Sequence, residues 1–170
     1  MMERLASGFH TFTDYDDIPF RGLIVPQEVE ADPISGTPHQ ARPPIRFFVQ
    51  GVLGIRLVDA IAGKFDGLQG ATSVVPLTDV RRIPCQINWP GYEPWSQAIA
   101  TEPEPYTLAK LAQALSTVVQ RFFDDQVQVQ SQEPRPDWYT TTVPFDKLYL
   151  IELRQITADS WQPVLSRVLV

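Results

Sequence analysis

The residues 89–95, Trp89-Pro90-Gly91-Tyr92-Glu93-Pro94-Trp95, set two indoles and a phenol beside turn-forming proline and glycine. Aromatic side chains offer large rigid faces at low entropy cost, and their polar edges form hydrogen bonds. Such a cluster suits non-covalent contact with a sugar, a proline-rich peptide or a partner surface. Trp89, Tyr92, Glu93 and Trp95 are therefore candidate contact residues. Trp161, within Ser160-Trp161-Gln162-Pro163, is a fifth. The same aromatics have a plainer use as anchors that pin a loop to the core.

Covalent and metal chemistry finds less support. The chain has no G-x-S-x-G, P-loop, G-x-G-x-x-G or H-E-x-x-H pattern. Gly63, Gly67 and Gly70 follow a predicted helix, whereas phosphate binding needs glycines before one. The two histidines, His10 and His39, stand far from the single cysteine, Cys85, and a transition-metal site needs three or four such ligands. Asp14, Asp16 and Asp17 lack the glycine and distal glutamate of an EF-hand loop. Cys85 alternates with Ile83 and Ile87, so it faces a core, where a thiol is inert. Glu152 and Arg154 fall on one face of a strand and read as a surface ion pair. No catalytic residue, metal ligand or cofactor is assigned.

Composition narrows the partners. Fourteen Lys and Arg against 20 Asp and Glu give a net charge of −6 and a pI near 4.8. Nucleic acids and anionic membranes are recognised through clustered basic residues, so both are disfavoured. One cysteine excludes a disulfide framework. Residues 1–17 lack the apolar run of a signal peptide, and no stretch has the length of a membrane span. The expectation is a cytoplasmic protein.

The elements that would position these residues follow from periodicity. Residues 1–44 carry recurrent prolines and read as an irregular segment, with a short strand over 21–25. Residues 45–170 read as one α+β domain. A strand is predicted over 45–49. Ile55, Val58, Ile61, Phe65 and Leu68 then recur at helical spacing. Val74 to Leu77 reads as a brief strand. Alternation over 83–89 marks another, and Pro84 makes it an edge or a bulge. The clearest helix spans 108–124, with Thr107 as N-cap. The apolar run 148–153 reads as a central strand, hairpinned to a last strand over 161–170. The order β-α-β-α-β-β predicts a two-layer sandwich, a mostly antiparallel sheet with two helices on one face.

Three segments together carry a resemblance: the W-P-G-Y-x-P-W turn at 89–95, the helix opening at Tyr106-Thr107-Leu108, and the C-terminal S-W-Q-P segment at 160–163. In these the chain resembles a family of uncharacterised, predicted proteins of mushroom-forming (basidiomycete) fungi, over roughly residues 45–170. The resemblance implies a fungal, non-secreted protein and transfers no functional residue. The leading reading is a non-catalytic binding or interaction module of unknown ligand, with the aromatic turn as contact surface. The alternative is a small enzyme or small-molecule-binding protein with a pocket between sheet and helices. A third is a homodimer through an edge strand, bordered at Pro84 or at 127–130.

Overall fold

The computed structural model describes residues 19–27, 42–77, 80–101, 106–126 and 136–168. In chain order the elements are β1 (Leu23–Ile24), β2 (Ile45–Arg46), β3 (Phe48–Val49), β4 (Val52–Leu53), β5 (Ile55–Arg56), α1 (Leu57–Ile61), β6 (Arg82–Ile87), β7 (Trp95–Ala100), α2 (Leu108–Gln126), β8 (Leu148–Gln155) and β9 (Trp161–Arg167). Short 3-10 turns cover Pro136–Trp138 and Phe145–Lys147.

The apolar run at 148–153 forms the centre of the sheet with β9. Both strands are buried along nearly their whole length, because each face of the sheet is covered. They pair antiparallel from Leu148↔Arg167 to Gln155↔Trp161, with an irregularity between Leu150 and Glu152. Ile156 accordingly donates back to Ser160 across the hairpin at 2.9 Å. The far edge of β8 holds β5 and β2 end to end. The far edge of β9 holds β1, antiparallel, and β6, parallel through the bridge Cys85↔Trp161. β7 pairs antiparallel with β6 and ends the sheet.

Both helices lie on one face. Leu57 and Ala60 of α1 join Leu111, Leu115, Val119 and Phe122 of α2 in one core with Ile83, Ile87, Leu148, Leu150 and Leu165 of the sheet. The other face carries a smaller apolar cluster: Leu53, Ile151 and Val164, packed by Phe20, Ile24, Phe48 and Tyr149. The expected α+β sandwich, mostly antiparallel with two helices, is the observed architecture. β1 lies within the first 44 residues and belongs to the same sheet. Gly22 makes its approach feasible: at φ +83°, a Cβ there would stand 2.2 Å from the carbonyl oxygen of Arg167.

Several local expectations change. The strand over 45–49 divides at Phe47, whose N–H donates to Ile151 at 3.1 Å while its carbonyl accepts from Gly54. Phe48 and Val49 turn away to pair with β4. The helix expected over 55–68 keeps only Leu57–Ile61. Ile55 and Arg56 are taken by β8, and Gly63 leaves the helical region at φ 76°. At Val74 to Leu77 the ladder is a single bridge, Val74↔Thr107. β7 carries no periodicity that marks it as a strand in the sequence. α2 is as expected, and Lys110 N–H donates to the hydroxyl of Thr107 at 3.3 Å.

Pro84 is also differently placed. β6 is an inner strand, with β7 on one side and β9 on the other. Thr101 N–H donates to Arg81 at 2.9 Å, and alternation of the antiparallel ladder then turns Pro84 toward β9. Its missing N–H removes a bond on that side, where the pairing is a single bridge.

Two buried polar groups complete the sheet. Gln27 is 1% exposed. Its amide N–H donates to Pro163 at 2.8 Å and its amide oxygen accepts from Asn88 N–H at 3.0 Å. Val25 N–H donates to Leu165 at 2.8 Å just beyond. The side chain of Gln27 thus acts as a peptide group between β9 and the end of β6. Glu152 is fully buried rather than at the surface. Arg46 donates to one carboxylate oxygen at 3.2 Å and Arg154 to the other at 2.8 Å.

Candidate functional site

The turn after β6 is fixed by ring packing on one helical residue. Phe122 of α2 meets Trp89 at 5.9 Å, Tyr92 at 6.1 Å and Trp95 at 5.6 Å between centroids. Helical periodicity places Phe122 and Phe123 inward together, and Phe123 takes the edge of Trp89 at 5.1 Å. Tilted and edge-on pairs of this kind suit the ring quadrupole.

The five aromatic-site candidates divide by burial. Trp89 is 1% exposed, and its indole N–H donates to the carbonyl of Trp138. Burying such a ring contributes on the order of 4 kcal/mol, so Trp89 serves the fold. Trp161 is 3% exposed and pairs with Cys85 and Gln155 in the sheet. Tyr92 is half-buried; its hydroxyl accepts from Thr140 N–H at 3.1 Å and lies 3.3 Å from the Thr140 hydroxyl. Glu93 is exposed just after the turn, two residues before β7. Trp95 is half-buried, and its indole N–H donates to Asp125 at 3.1 Å.

A groove of about 290 Å³ runs beside Trp95. Pro84, Cys85 and Gln86 of β6, Pro94, Trp95 and Ser96, and Ser160 line it. The two segments singled out in the sequence, 89–95 and 160–163, therefore meet at one place. They meet because the Cys85↔Trp161 bridge draws the start of β9 beside β6. Pro84 and Pro94 supply apolar walls, and the Gln86 amide and the Ser96 and Ser160 hydroxyls supply hydrogen-bonding groups. Gln86 was not a candidate from sequence, and Ser160 only as part of the segment 160–163, since the parallel neighbour of β6 has no local signature.

Two buried acids, Cys85 and Tyr106, are held neutral. Burial pushes the Cys85 thiol from 9.0 up to about 12. Burial, and then the charge of Cys85, push the Tyr106 phenol from 10.0 to about 12. A thiol with so little thiolate is a poor nucleophile. Among the described residues, no group of three or more His, Cys, Asp or Glu is placed to hold a metal ion. Nor is any helix there long and apolar enough to cross a membrane. His10, His39, Asp14, Asp16 and Asp17, and the segment 127–130, lie outside the described residues. No family model, curated protein or solved structure matches the chain.

Proposed function

We propose that this protein is a non-catalytic binding module of the cytoplasm, and that its ligand is a short extended protein segment with a proline or small apolar side chain. The observation that carries this reading is the groove at Trp95. Its volume, about 290 Å³, lies at the lower end for pockets that enclose small molecules. That space suits about two or three residues of a chain passing over the surface. Proline walls beside Trp95 favour a flat apolar side chain, while Gln86, Ser96 and Ser160 offer hydrogen bonds to its backbone.

The competing reading places a small-molecule site or small enzyme between sheet and helices. There the side chains of Phe47, Leu57, Leu111, Leu115, Phe122 and Leu150 are fully buried and fill the layer. The resemblance to the basidiomycete family implies a fungal source and adds no activity.

An array of immobilised proline-containing peptides, probed with the full chain and with Trp95→Ala, tests the reading. Binding by the wild type that falls at least about tenfold in the variant, a loss of roughly 1.4 kcal/mol, supports it. Binding that survives Trp95→Ala, or amide shifts on titration that avoid Gln86, Ser96 and Ser160, overturns it. Shifts at those residues with small sugars and not with peptides would also overturn the choice of ligand.

A further inference from the structure

The two outer edges of the sheet differ. On one side, β2 and β5 are two residues each, carry Arg46 and Arg56, and are interrupted by the β3–β4 hairpin. Short strands with charges are the ordinary protection of a sheet edge. On the other side, β7 runs for six residues, Trp95-Ser96-Gln97-Ala98-Ile99-Ala100. It has no charged residue and no proline, and its pairing with β6 is regular from Trp95 to Ala100. Among the described residues, no strand pairs with its outer side.

The bond from Thr101 N–H to Arg81 sets the alternation along β7. Trp95, Gln97 and Ile99 exchange their bonds with β6, and Ser96, Ala98 and Ala100 turn their N–H and C=O groups outward. The side chains of Ser96 and Ala100 are exposed and that of Ala98 is half-buried. All three are small.

We propose that this edge docks on a second copy of the same chain, β7 against β7 in antiparallel register about a two-fold axis at Ala98. That register is the one that engages all three outward-facing residues of each copy. Ala98 meets Ala98 of the other copy and Ser96 meets Ala100 on one face, while Gln97 meets Ile99 on the other, so no like-charged side chains oppose each other. A two-fold contact must be self-complementary, and a neutral strand of small residues centred on alanine meets that condition. Arg82 stands on β6, one strand in from the edge, beside Ala100. In the paired sheet its row continues through Ala100 and the other copy's Ser96 and Gln86, which again places no like charge beside it. Ser96 belongs both to the groove and to this edge, so peptide binding is read in Trp95→Ala and association in the β7 variants.

Sedimentation equilibrium of the full chain tests it. The wild-type mass is expected to rise with concentration toward twice 19.2 kDa. Ala98→Pro removes an outward N–H that β6 does not use, and should weaken association by more than about tenfold. The double variant Ser96→Lys with Ala100→Lys sets lysines opposite one another and should be monomeric. Ser96→Glu with Ala100→Lys sets opposite charges across the axis and should associate again. Circular dichroism confirms that each variant is folded, and the lysine pair decides the matter if the proline variant is not. A wild type that stays monomeric at every concentration overturns the proposal. So does association that the lysine pair leaves unchanged, which would place the contact elsewhere. Loss of the groove's peptide binding in Trp95→Ala bears on neither outcome.

Discussion

Gln27 donates its side-chain N–H to the carbonyl of Pro163, 136 residues away, at 2.8 Å. The same amide accepts from Asn88, so one side chain joins the N-terminal strand, β9 and the end of β6. Gln27→Ala takes one bond from the Pro163 carbonyl and one from the part-buried Asn88 N–H, each worth about 1–3 kcal/mol. We expect a loss of about 2–3 kcal/mol in urea denaturation. Gln27→Glu keeps an acceptor for Asn88 but faces the Pro163 carbonyl with a carboxylate, and should be no better than alanine.

Glu152 makes a second test of the sheet. Its buried carboxylate is shared by Arg46 and Arg154, whose side chains are 26% and 12% exposed. Removing one member of a buried ion cluster leaves the other charges poorly compensated. Glu152→Gln should cost about 3 kcal/mol, the lower end for buried pairs, because both guanidinium groups reach solvent in part. A double-mutant cycle with Arg154→Met would show a coupling energy well above that of an exposed pair.

Trp89 and Trp95 should separate fold from binding. Trp89→Ala empties a fully buried site against Phe122, Phe123 and Trp138 and should cost about 3–5 kcal/mol. Trp95→Ala removes a half-buried ring and one bond to Asp125 and should lower the melting temperature far less. Calorimetry of the two variants beside the peptide array checks both statements. Equal destabilisation would mean that Trp95 is an anchor like Trp89.

Alkaline pH should weaken the fold through Cys85 and Tyr106. Both are acids whose folded values, about 12, lie above their ordinary values of 9.0 and 10.0. The unfolded chain therefore loses these protons first. The stability they contribute is complete below pH 9 and is lost as pH rises toward 12, by roughly 1.4 kcal/mol per unit for each group that ionises only when unfolded. Urea denaturation across that window should show the decline, and Cys85→Ala should flatten its first part.

The sequence made some of this legible and concealed the rest for physical reasons. α2 was readable because Leu111, Leu115, Val118 and Phe122 repeat at helical spacing on a long polar-backed segment. β8 was readable as an apolar run too short for a buried helix. β7 was hidden: serine, glutamine and two alanines have no strand preference of their own, and pairing with β6 determines their conformation. The helix over 55–68 was overread because helical spacing at Ile55 and Phe65 cannot reveal that β8 takes Ile55 first. In the candidate site, the sequence identified the aromatic turn but not the division between buried Trp89 and half-exposed Trp95, since both roles use the same residue type. The meeting of Gln86 with Ser160 was invisible because a parallel bridge between distant segments leaves no spacing to read.

The placement of β8 and β9 has a consequence for how the chain assembles. These two strands come last in the chain order and stand at the centre of the sheet, and β1, β2, β5 and β6 all pair with one or the other. On a ribosome, those earlier strands emerge before the strands that template them. β6 can already pair with β7, but the pairings of β1, β2, β5 and β6 with β8 or β9 must wait until those strands are made. Folding is then a late, cooperative event dominated by long-range closure, slow for a chain of this length and sensitive to chaperone supply. A frameshift or truncation within β9 would part the β2–β5–β8 side of the sheet from the β6–β7 side, rather than trimming one edge.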